Sequence, residues 1–70
     1  MSYMTVEDTR KIKSYIVGAG YTISSLSNAI GMTRESLSSR INGKIDFSRM
    51  EMAAIADKLK KKPEDIFFNL

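Results

Sequence analysis

Apolar side chains recur along the chain at spacings of three and four residues, the interval that brings side chains onto one face of an α-helix. No strand-like alternation, internal repeat or low-complexity tract interrupts that pattern. Ile12, Tyr15, Ile16 and Ala19 keep helical register behind Thr5 and Asp8, which stand three apart as a capping box with aspartate replacing the usual glutamate. A first helix is predicted over about 6–17, ended by Gly18 and Gly20. Thr22 then caps a second helix whose Leu26 and Ile30, with Ala29 beside them, form an inward face. Gly31 breaks the register by taking the left-handed conformation, and Thr33 caps a third helix over about 33–42. Leu37 and Ile41 are the inward pair of that helix, and Gly43 closes it.

Later in the chain, Ser48 and Glu51 make a standard capping box, with Phe47 and Met52 placed to pack across it as a hydrophobic staple. Met52, Ile55, Ala56 and Leu59 follow the helical rule, which predicts a fourth helix over about 49–60. Pro63 suits the first position of another helix, and Glu64 and Asp65 complement the dipole at that end; a short fifth helix is expected over about 63–68. Its Ile66 and Phe67 should cover the core, leaving Phe68 and Leu70 as surplus apolar surface. The expected fold class is all-α, a compact bundle of four to five short helices in a single domain spanning 1–70.

The third helix has an unusual outer face. Glu35, Ser36, Ser38, Ser39 and Asn42 fall opposite Leu37 and Ile41, so that side is short-chained and mostly uncharged, with Arg34 and Arg40 flanking it. Such a face suits display better than burial.

Composition narrows the chemistry. A chain of 70 residues has little volume for a catalytic cleft beside its core, so a binding module is favoured. With no cysteine there is neither a disulfide framework nor a thiolate metal site, and with no histidine the commonest general base and metal ligand is missing. Neither paired carboxylates nor a nucleophile with its base can be assembled, so no enzyme, cofactor, metal or small-molecule substrate is expected. No segment approaches the roughly 20 apolar residues that cross a bilayer, and a soluble cytoplasmic protein is expected. Eleven basic and eight acidic residues give a net charge of +3, which permits contact with nucleic acid. Arg34, Arg40, Lys44 and Arg49 cluster in or just after the third helix, opposed by Glu35 and Asp46. Lys58, Lys60, Lys61 and Lys62 form a second cluster, read as a solvated helix end favoured by the dipole. Tyr15 and Tyr21, in register with the apolar stripe and a loop hinge, are read as core.

Leu26, Ser27, Ile30, Gly31, Met32, Thr33, Leu37, Ile41, Asn42 and Gly43 resemble the helix-turn-helix of phage Cro and CI repressors and the related Xre-type bacterial regulators. The resemblance covers about 12–67, and the stretch RESLSSRINGK, 34–44, looks particularly like that of small phage-encoded regulators. It implies a helix-turn-helix over about 22–43, with the third helix in the major groove and the second across the backbone. Carried over position by position, it makes Arg34, Glu35, Ser36 and Ser39 base-contacting candidates. Thr22, Ser24, Asn42 and Lys44 become phosphate contacts. The partner implied is double-stranded operator DNA, bound by a homodimer.

Two departures support a second expectation. The family commonly has glutamine at the first position of its second helix, where this chain has Ile23, either packed into the core or exposed; the position of Arg40 is often hydrophobic. A phage modulator or antirepressor, which binds a partner repressor and blocks its DNA surface, would use Ile23, Arg40, Phe68 and Leu70 as contacts.

Overall fold

A computed structural model describes residues 4–67 and places five helices among them: α1, Val6–Gly18; α2, Ile23–Ala29; α3, Arg34–Ile41; α4, Arg49–Leu59; and α5, Pro63–Ile66. The all-helical bundle expected from periodicity is what forms. Each start is written locally. Thr5 Oγ1 accepts from the Asp8 N–H at 3.0 Å while Asp8 Oδ2 accepts from the Thr5 N–H at 3.1 Å; Ser48 and Glu51 make the same reciprocal pair at 3.1 and 2.8 Å. Thr22 and Ser25 add a third box, with serine in the reciprocal position. Small shifts separate pattern from structure at the ends. α1 runs one residue further, to Gly18; α4 stops at Leu59 with Lys60 as its cap; α5 stops at Ile66. Phe68, like Leu70, lies outside the described residues.

The core gathers one stripe from every helix. Ile12 and Ile16, Leu26, Leu37 and Ile41, Ile55, Ala56 and Leu59, and Ile66 are buried together with Phe47 and Phe67. The two phenylalanine rings meet edge to face with centroids 5.0 Å apart, so the residue before the cap of α4 locks onto the residue after α5. Met52, Tyr15, Tyr21 and Ile23 pack against this cluster partly buried. Ala19 and Ala29, expected on the inward faces of α1 and α2, are exposed. Ser27 is buried in their stead, its hydroxyl satisfied by the Ser24 carbonyl at 2.7 Å.

α2 packs on α3 and also touches α4, while α1 supports α3 and α5. Between α2 and α3 the chain reverses at Gly31, whose φ is +74°. The Met32 N–H reaches back to the Ser27 carbonyl at 2.8 Å, and the Gly31 N–H to the Asn28 carbonyl at 3.3 Å, closing the end of α2 before Thr33 opens α3. No helix among the described residues is long and apolar enough to cross a membrane.

Candidate nucleic-acid interface

Eight residues make an isolated helix unstable in water, so α3 must be held from outside. Leu37 and Ile41 anchor it from behind with no exposed surface. At 100° per residue this pair faces inward and the opposite side centres on Glu35 and Ser39, bordered by Ser38 and Asn42 on one flank and by Ser36 and Arg40 on the other.

The second flank is fastened to α4. Arg40 Nη1 donates to the Ser36 carbonyl at 3.0 Å and to Ser36 Oγ at 2.7 Å, and its Nε donates to Glu51 Oε1 at 3.0 Å. The same Glu51 oxygen accepts from the Ser48 N–H at 2.8 Å. One carboxylate oxygen thus joins the cap of α4 to the guanidinium that spans α3. That Ser48 hydrogen bond, followed by the hydrogen bond and charge of Arg40, outweighs partial burial and holds the Glu51 carboxyl below the ordinary glutamate range. At the same trailing end of α3, Thr9 Oγ1 of α1 donates to the Ile41 carbonyl at 2.8 Å. The last turn is therefore held by both α1 and α4.

The anticipated base-contacting residues are not equivalent in this setting. Arg34 and Glu35 are exposed at the leading end of α3. Ser36 is half-buried and its oxygen accepts from Arg40, which leaves its hydroxyl proton and one lone pair; Ser39 is half-buried on the outer side. Of the anticipated phosphate contacts, Thr22, Ser24, Asn42 and Lys44 are all exposed. Thr22 also serves as cap, and Asn42 Nδ2 donates to Ser38 Oγ at 3.3 Å.

The residues anticipated for a protein partner divide differently. Ile23 is half-buried against the core, and Arg40 is committed to Ser36 and Glu51. Phe68 and Leu70 fall outside the described residues. Two basic residues that periodicity did not single out join the region: Arg10 and Lys13 of α1 line a groove with Asn42 at the trailing end of α3. Only the packing of α1 on α3 reveals them, since no local signal links positions so distant in sequence.

Neither the curated proteins nor the solved structures gave a match to this chain. A family model described as helix-turn-helix matches residues 12–66. The match runs from within α1 to the end of α5, over half of the chain, and the protein belongs to the helix-turn-helix family of DNA-binding regulators typified by Cro, CI and Xre.

Proposed function

We propose that the whole chain acts as one domain, a Cro-like transcriptional regulator that reads operator DNA with α3 in the major groove. The supporting observation is the pose of α3: it follows a tight glycine turn, its last turn is held by α1 and α4, and it carries Arg34 and Glu35 exposed on its first turn. Arg34 donates two hydrogen bonds to guanine, Glu35 accepts from a cytosine amino group, and Ser36 and Ser39 add less selective contacts. Thr22, Ser24, Asn42 and Lys44 hold the flanking phosphates and set the register. A homodimer places two copies of α3 about one helical turn apart on a two-fold symmetric site.

A second reading, the phage antirepressor, draws support from one surface. Ile30, Met32, Met50 and Ala54 line an open groove beside the Gly31 turn, with Met50 84% exposed. An exposed methionine at an apolar groove suits docking on another protein.

Electrophoretic titration against the promoter region beside the protein's own gene, at two salt concentrations, separates the two. The DNA-binding reading expects a complex whose affinity falls steeply with salt as counterions are regained. Absent or salt-insensitive binding, with co-purification of a repressor that Met50→Glu abolishes, would replace it by the second reading.

A further inference from the structure

Beyond the face of α3, a second basic surface lies where α4 ends. Lys58, Lys60 and Lys61 are exposed there and border Tyr21, the residue immediately before the cap of α2, with Asp57 as the carboxylate among them. Around the same corner, the Lys61 ammonium lies 5.4 Å from the centroid of the Tyr15 ring and that of Lys11 lies 6.0 Å from it. The ring face attracts each cation, so α1 and the end of α4 bring two positive charges to a single aromatic.

The backbone supplies an independent observation. α1, α2 and α3 end in the same pair of hydrogen bonds, with glycine in the left-handed position: Gly20 at φ +84°, Gly31 at +74° and Gly43 at +79°. α4 ends in a similar pair, from the Lys61 N–H to the Ala56 carbonyl at 3.0 Å and the Lys60 N–H to the Asp57 carbonyl at 3.2 Å, yet the left-handed residue is Lys60 at φ +56°. A side chain with a Cβ is disfavoured in that region. Compensation of the helix dipole does not require it, because Lys58 already stands in the last turn. The chain keeps a charge where a glycine would be more stable.

We infer that this corner is a second phosphate-contacting surface, in which Lys58, Lys60 and Lys61 continue the DNA footprint past the start of α2. The inference rests on the DNA-binding reading above and adds to it a part of the molecule outside the helix-turn-helix unit. Tyr21 joins the corner directly to Thr22, so a backbone lying across the start of α2 passes these lysines. Exposed lysines neutralise phosphate readily and are depleted from protein interfaces, which favours DNA over an acidic protein as the occupant.

The test is fluorescence anisotropy on duplex DNA across a salt series, with thermal melts of each protein, for wild type, Lys60→Gly and the double variant Lys58→Ala/Lys61→Ala. Lys60→Gly should raise Tm by about 4 °C. Removing one phosphate-binding lysine should make the slope of log K against log salt shallower by about 0.9, and removing two by about 1.8. Base preference should stay unchanged in both variants. Unaltered slopes in both, while wild type binds, would overturn this inference alone. So would a lower Tm for Lys60→Gly, or poly-glutamate bound through these lysines without any change in the DNA slope. Failure of wild type to bind any duplex would remove the DNA-binding reading first, and this inference with it.

Discussion

Gly43 closes α3 at φ +79°, and a Cβ placed there would meet Met4 Cβ at 3.2 Å, closer than such atoms settle without movement. Gly43→Ala therefore combines left-handed strain of about 1–2 kcal/mol with displacement of the segment before α1. A reduced Tm by circular dichroism is expected; an unchanged Tm would show that the backbone there relaxes without cost. Signals of this kind are legible in the sequence because cap and breaker chemistry acts within four residues. Thr5 with Asp8, Thr33, and Ser48 with Glu51 announce their helices, and Gly31 its turn. Single small residues are harder to read. Ala19 and Ala29 share helical register with core residues yet stay exposed, since an alanine is buried only where a neighbour lies opposite it. Ser27 enters the core because the Ser24 carbonyl satisfies its hydroxyl, an outcome that depends on local geometry rather than on residue type.

At the scale of elements, the setting of α3 depends on contacts between residues remote in sequence. Arg40 reads as a free charge along the chain but closes a path from Ser36 to the cap of α4. Spacing alone therefore identifies the inward pair Leu37 and Ile41, while the bonds that engage Arg40 and Ser36 emerge only when α3 and α4 are brought together. Glu51 makes the clamp sensitive to acid. Its carboxyl is held below the ordinary range in the folded chain, first by the Ser48 N–H and then by Arg40, so the unfolded chain takes up the proton at higher pH than the folded one. The stabilisation is complete above the unfolded value of about 4.3 and is lost as pH falls through the lower folded value. Melts of wild type and Glu51→Gln should differ at neutral pH, with wild type more stable, and converge in acid. A gap independent of pH would show that the Glu51 charge contributes nothing to the clamp.

Taken whole, the molecule is small enough that its surfaces are neighbours, with extents of 25 × 22 × 21 Å over the described residues. Its net charge of +3 gives only a weak general attraction to DNA, so placement of the basic groups matters more than their sum. Arg34 leads α3, Arg10 and Lys13 stand at its trailing end, and the lysines of the α4 corner lie beside the start of α2. The fold class is readable from periodicity alone, whereas the distribution of charge around the helix pair requires the packing of α1 on α3 and of α4 on α2.

If the exposed first turn of α3 reads bases, binding sites selected from random duplexes by wild type and by Arg34→Ala must differ at one defined position. Wild type should enrich a single symmetric motif, and Arg34→Ala should give up discrimination of about 1–3 kcal/mol at one base pair in each half-site. Identical motifs from both proteins, or no enriched motif from wild type, would refute that role for α3.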